Sequence, residues 1–208
     1  MEIINNFAVI EGGDGSGTTT QLSMLGERMK NLKRPAFFPT FEPTEGEIGA
    51  LIRRVLKKEI SVKPETLCLL FAADRNEHLY GADGILAHIK KGFLTVSDRY
   101  VLSSLVYQGI ECGDELSQTL NSRFPAPDLT IFLDIDPETA LGRVKGRGSL
   151  EIYEHFDFQK RVREKYSSLL EAYRAAGAKV RIIDASKNAR EVAEEVWSVI
   201  SQMPIFST

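Results

Sequence analysis

Residues 10–20, IEGGDGSGTTT, set Gly12 and Gly17 at the spacing of a phosphate-binding loop, G-x-x-x-x-G-K-[ST], and put Thr19 where that loop needs a hydroxyl. Thr18 stands at the lysine position. Glycines in such a turn let backbone N–H groups converge on an anion, and the N-terminus of a following helix adds partial positive charge. Glycine also serves tight turns and close packing, so the loop alone leaves both uses open. Its setting favours phosphate: apolar FAVI (7–10) precedes it, and a helical pattern through Leu22, Leu25 and Met29 follows. A second group ends the stretch FLTVSDRY. There the Asp98 carboxylate can hold Mg²⁺, directly or through water, beside the Thr19 hydroxyl. The Arg99 guanidinium can grip a phosphate with two parallel hydrogen bonds, although Asp98 and Arg99 also read as an ion pair capping a strand. Together the two groups indicate a nucleotide-dependent phosphotransferase.

Two further pairs carry chemistry at helical spacing. In LLFAADRNEHL (69–79), Phe71 and Arg75 are one turn apart and share a face, so the ring can stack a base while the cation bonds its edge. A core aromatic with a surface neighbour is the competing reading. Arg143 and Arg147 lead into GRGSLEIYEH (146–155), a glycine-bounded excursion able to bring positive charge onto a transferring phosphoryl group, or else an exposed basic face. His78, His88 and His155 have no metal-ligand spacing and read as packing or surface residues.

The elements that must position these residues alternate along the chain. FAVI (7–10), AFFPT (36–40), FLTVS (93–97), LTIFLDI (129–135) and VRIIDA (180–185) read as buried strands. Helices are expected over 18–33, 47–58, 65–91, 102–121, 137–146, 156–176 and 189–202, with Pro64 and Pro137 at starts and Gly92 and Gly177 past ends. The alternation predicts an α/β fold with a parallel sheet covered on both faces, and ligands collect beyond the carboxyl ends of such strands. The 208 residues fit one domain, with a lid at about 143–156.

Bulk properties narrow the class. Hydrophobic and charged fractions of 43% and 26% are those of a globular protein, and a net charge of −3 without a basic cluster argues against nucleic acid as a partner. No apolar run suits a membrane span or a secretory signal. Cys68 and Cys112 have no metal-like spacing, so a reducing cytoplasm is the expected compartment.

The chain as a whole resembles the thymidylate kinases. The resemblance runs almost end to end: EGGDGSG for the family's EGxDGSGK, TFEP for TREP, LLFAADR, SDRYVLSSLVYQG, PDLTIFLDIDPETAL, FDFQKRVREKY and the late IIDAS. It implies the P-loop nucleoside-monophosphate kinase fold, with a five-stranded parallel sheet flanked by helices, a single kinase domain over 1–208, and a homodimer. It implies γ-phosphoryl transfer from ATP to dTMP with Mg²⁺, giving dTDP and ADP in dTTP biosynthesis. By resemblance, Gly12, Gly13, Gly15, Ser16, Gly17, Thr18, Thr19 and Thr20 would wrap the ATP phosphates, with Arg143 on the donor nucleotide and Arg147 in the lid. Asp14 would lie near the acceptor 3′-hydroxyl, and Thr19 and Asp98 near the metal. Glu42, Pro43, Ser103, Ser104, Tyr107 and Gln108 would line the acceptor pocket, Phe71 would stack on thymine, Arg75 would read its exocyclic oxygen and Arg99 would hold the acceptor phosphate.

Three cations of the family pattern are absent: Thr18 replaces the loop lysine, Phe41 the arginine of TREP, and Ile152 the arginine that some relatives carry in the lid. Arg53, Arg54, Lys145 and Arg147 are candidates for relocated charge. Three readings are compatible with the losses: an active thymidylate kinase with a rearranged cation set, slowed if nothing replaces the lysine; a kinase for another nucleoside monophosphate; and a catalytically degenerate nucleotide-binding protein.

Overall fold

The computed structural model describes residues 2–32, 35–144, 153 and 155–207. Five strands, β1 (Ile3–Gly12), β2 (Ala36–Phe41), β3 (Phe93–Asp98), β4 (Ala126–Asp134) and β5 (Val180–Asp184), form one parallel sheet in the order β2-β3-β1-β4-β5. The chain leaves β1 toward one edge and returns past it to the other, so β1 and β3 flank the point where the winding reverses. Crevices open there at the carboxyl ends of the strands. The Ile10↔Asp98 pairing brings the ends of these strands level, and so sets the glycine loop beside the Asp98–Arg99 dipeptide.

Alternation along β1 assigns the two faces. Phe7 and Val9 enter a core with α2 (Glu47–Leu56), α3 (Pro64–Tyr80), α4 (Ile85–Lys90), α5 (Val101–Cys112) and α8 (Phe156–Ala175). Ala8 and Ile10 enter the opposite core with α1 (Thr18–Lys30) and α9 (Ala189–Ile200), which starts in a capping box of Asn188 and Glu191. The shorter α6 (Asp114–Asn121) and α7 (Pro137–Val144) complete the layers. Glu11 has the parity of Phe7 and Val9, so its carboxylate points into the first core.

Two expected helices are each two. The span 65–91 breaks between α3 and α4: an added Cβ at Gly81 would lie 2.5 Å from Glu77 O, and at Gly84 2.6 Å from His78 O, so glycine permits a turn too tight for a side chain. The span 102–121 breaks at Gly113, whose φ of 93° suits glycine alone. Both halves are apolar enough to look continuous. β1 also begins earlier than FAVI, across a register shift between Ile4 and Ala8 where Asn6 has φ 61°.

Candidate active site

The glycine loop is shaped by contacts a side chain would obstruct. A Cβ on Gly12 would overlap Ser16 Oγ and lie 3.1 Å from Leu133 O, while Gly15 and Gly17 have φ of 83° and 96°. The Ser16 N–H donates to Gly13 O at 3.1 Å and closes the turn. Gly17 caps α1 and has no side chain with which to take the first N–H groups of that helix. Thr18 is buried in the first turn of α1.

Thr19 Oγ1 donates to Asp98 Oδ2 at 2.6 Å. Asp98 Oδ1 is buried without a partner among the described residues. Asp98 and Arg99 do not pair with each other. Arg99, at φ 71°, turns back over the end of β1, where Nη1 donates to Gly12 O at 2.9 Å and Ser103 Oγ at 3.3 Å, and Nη2 to Asp14 Oδ1 at 2.7 Å. Its guanidinium carbon lies 5.2 Å from the centre of the Tyr107 ring. A non-glycine residue at positive φ is strained, and such strain persists where surrounding contacts over-determine it.

Beneath this group lies a residue not foreseen from the sequence. Glu11, 1% exposed, accepts from Tyr100 N at 3.0 Å, Ser103 N at 3.4 Å, Ser103 Oγ at 2.6 Å and Tyr166 Oη at 2.9 Å. Burial pushes its carboxyl up to about 7 against the opposing effect of these donors and of Arg99. A carboxylate ending an apolar strand on its inward parity was the available signal.

The ten residues expected on the acceptor side, Asp14, Glu42, Pro43, Phe71, Arg75, Arg99, Ser103, Ser104, Tyr107 and Gln108, line one cleft of about 140 Å³ together with Leu56, Tyr100 and Tyr153. Arg75 is 1% exposed and mostly engaged by the chain itself. Its Nε donates to Glu42 Oε2 at 2.9 Å, Nη2 to Tyr100 O at 3.1 Å and Ser104 Oγ at 3.0 Å, and Nη1 to Asn121 Oδ1. With those acceptors filled, a single Nη1 hydrogen remains. His78, expected as packing or surface, is buried between Glu42 Oε1 at 2.9 Å and Thr40 Oγ1 at 2.6 Å. Arg75 and His78 thereby lock Glu42, and with it the turn at the cis Glu42–Pro43 peptide, onto α3.

A second cleft of about 260 Å³ opens on the other side of the loop, between Gly15, Ser16, Gly17 and Thr20 and the residues Arg143, Lys187, Asn188 and Ala189. Arg143 donates to Ala185 O at 3.0 Å and Ser186 O at 3.4 Å, bracing that wall. Lys187 carries no motif signal and was missed by sequence reasoning.

The candidates for relocated charge divide. Arg53 donates to Pro43 O at 3.0 Å and to Thr44 O, bracing the turn after β2, and Arg54 pairs with Glu59 at 3.5 Å. Lys145, Arg147 and Ile152 lie outside the described residues. Phe41 ends β2 opposite Asp98 and is 39% exposed. Among the described residues no group of three or more His, Cys, Asp or Glu gathers as a metal cage, and no helix is long and apolar enough to cross a membrane.

Comparison with known proteins identifies the family. The family model described as thymidylate kinase matches residues 10–196. A putative thymidylate kinase of Treponema pallidum (strain Nichols) is 42% identical over 197 residues, covering 94% of this chain and 93% of that protein. A probable thymidylate kinase of Pyrobaculum aerophilum is 41% identical over 201 residues, covering 96% and 98%, and one of Methanococcus maripaludis (strain C6) is 41% identical over 202 residues, covering 95% and 96%. With most of its length inside the family model and relatives at this identity, the chain belongs to the thymidylate kinase family.

Proposed function

We propose that this protein phosphorylates dTMP with ATP, yielding dTDP and ADP for dTTP biosynthesis. The observation that carries the reading is the pair of clefts on either side of one glycine loop, one walled by Asp14 and the other by Gly15–Gly17. In the reaction an oxygen of the dTMP phosphate forms a bond to the γ-phosphorus as the bond from that phosphorus to the β,γ-bridging oxygen breaks, and ADP leaves. Such a transfer needs little covalent chemistry from protein; positioning and charge stabilisation do most of the work.

Each part of the site has a task in that scheme. The loop amides and the open N-terminus of α1 bind the donor phosphates. Arg99 holds the acceptor phosphate near the loop, Phe71 stacks on thymine, and the remaining Nη1 hydrogen of Arg75 reaches the base edge. Arg143 and Lys187 line the donor nucleotide's cleft.

The site fits a magnesium ion. Thr19 Oγ1 gives its hydrogen to Asp98 and has lone pairs to offer, and Asp98 Oδ1 is a buried acceptor without a partner among the described residues. Two such oxygens suit an ion that takes its other ligands from water and nucleotide phosphates. When bound, it supplies neutralisation of charge on the phosphate oxygens.

A homodimer is in keeping with the exposed Leu69 and Tyr80 on α3, and the free thiols of Cys68 and Cys112 suit the cytoplasm. Release of ADP from Mg-ATP in the presence of dTMP, dUMP, dCMP or UMP tests the function. Turnover with dTMP well above the others is expected. Preference for another base overturns the substrate, and nucleotide binding without any turnover overturns the reaction.

A further inference from the structure

We infer that Gln159 is a positioning residue for the transfer: its one side chain holds the glycine loop's Asp14 in place and ties that loop to the chain entering α8. This rests on reading Asp14 and Arg99 as acceptor-side groups. Gln159 is 3% exposed and lies in the first turns of α8, 145 residues from its partner along the chain. Its Oε1 accepts from the Asp14 N–H at 3.2 Å. Its Nε2 donates to Asp14 Oδ2 at 2.7 Å and to the Tyr153 carbonyl at 2.9 Å. The other oxygen of Asp14 takes the Arg99 bond at 2.7 Å.

The consequence is geometric. A carboxylate on a glycine-rich turn has several rotamers and a flexible backbone beneath it. Here its backbone donor and one oxygen are held by a single amide, which leaves the other oxygen aimed at Arg99. The loop is seated on the same group at a second point, since a Cβ on Gly13 would lie 3.1 Å from Gln159 Oε1. The far end of the tie is equally set: the Tyr153 ring stacks on Phe158 at 5.0 Å and 12° and lies 5.3 Å from Tyr107, a wall of the acceptor cleft. Gln159 therefore couples the loop, the Arg99 clamp and that wall. Supporting groups of this kind hold reacting residues within fractions of an ångström, and their removal commonly costs about 10–100-fold in activity.

Two variants and two readouts test this. Gln159→Leu keeps the volume and removes all three bonds. Gln159→Glu sets a second carboxylate against Asp14, with Arg99 behind it and the Tyr107 hydroxyl as the other titratable group in contact. Protonation of that glutamate restores a donor toward Asp14. Gln159→Leu is expected to lower kcat with dTMP by about tenfold or more. Gln159→Glu is expected to fall further at alkaline pH and to recover as pH falls, an acid-rising limb absent from the wild type and from Gln159→Leu. A merely structural role would lower stability in both variants without creating that limb. The second readout needs no turnover: amide hydrogen exchange of residues 13–16 in the ligand-free protein should quicken in Gln159→Leu. Unchanged exchange in the loop overturns the tie whatever the activity. Faster exchange with kcat within twofold of wild type in both variants overturns the positioning role. A wild type without turnover, by contrast, would count against the proposed reaction and leave the exchange result to decide the tie.

Discussion

Glu11 makes the stability of this protein depend on pH in a calculable direction. Its carboxyl has an ordinary value of 4.5 in the unfolded chain and about 7 in the folded one, because burial disfavours the charge more than its hydrogen-bond donors and Arg99 favour it. Between those values the folded chain binds a proton that the unfolded chain has released, so stability falls as pH rises. The contribution is complete below 4.5 and is lost as pH climbs through about 7. The gap between 4.5 and about 7, at roughly 1.4 kcal/mol per pH unit, amounts to about 3 kcal/mol at full ionisation. Urea unfolding between about pH 5 and pH 8, for the wild type and Glu11→Gln, isolates the effect. The amide does not titrate, so the wild type should lose roughly 2–3 kcal/mol relative to the variant across that range. A difference constant to within about 0.5 kcal/mol would refute the reasoning and mean that the four donors, not burial, govern Glu11.

Arg75→Met removes the guanidinium partner of buried Glu42 and leaves that carboxylate with the His78 contact at 2.9 Å; unfolding at neutral pH should show a loss of about 3–5 kcal/mol, and a loss below about 1 kcal/mol would mean that His78 alone satisfies Glu42. Gly12→Ala forces a Cβ onto Ser16 Oγ and should cost about 1–3 kcal/mol in strain, read as a lowered melting temperature with weakened ATP binding; unaltered binding would show that the loop relaxes freely. Asp98→Asn keeps an acceptor for Thr19 but removes the charge at the unpartnered oxygen, so turnover should drop on the order of 10²-fold and recover partly with excess Mg²⁺; no change in Mg²⁺ dependence would remove Asp98 from the metal site. Thr18→Lys places an ammonium in the first turn of α1 and should raise turnover if the cradle lacks a cation; a fall would indicate a loop built around the threonine.

Where reading the chain in order succeeded, the physics was local. A glycine loop between an apolar strand and an amphipathic helix is specified by neighbours within a dozen residues, and so are the five strands and the capping glycines 92 and 177. The resemblance to the thymidylate kinases, carried by contiguous motifs, supplied the ten residues that meet in one cleft, while Phe71 and Arg75 could also be paired from helical spacing alone. The two helix breaks failed for the same reason in reverse. Around Gly81–Gly84 and Gly113 the apolar pattern continues on both sides, and a glycine inside such a pattern can either be absorbed by a helix or end it.

The amino-acid order by itself determined the parallel sheet, the glycine loop between β1 and α1 and the side chains at the carboxyl ends of the strands, because backbone conformation and side-chain parity follow from residues close in sequence. Only the tertiary structure decided what those side chains do with one another. Tyr166 reaches Glu11 from 155 residues away and Gln159 reaches Asp14 from 145, while Arg75 is claimed by Glu42, Ser104 and Asn121 from three different segments. Hydrogen bonds and burial depend on distance in space, and that distance is settled only when the helices pack onto the sheet.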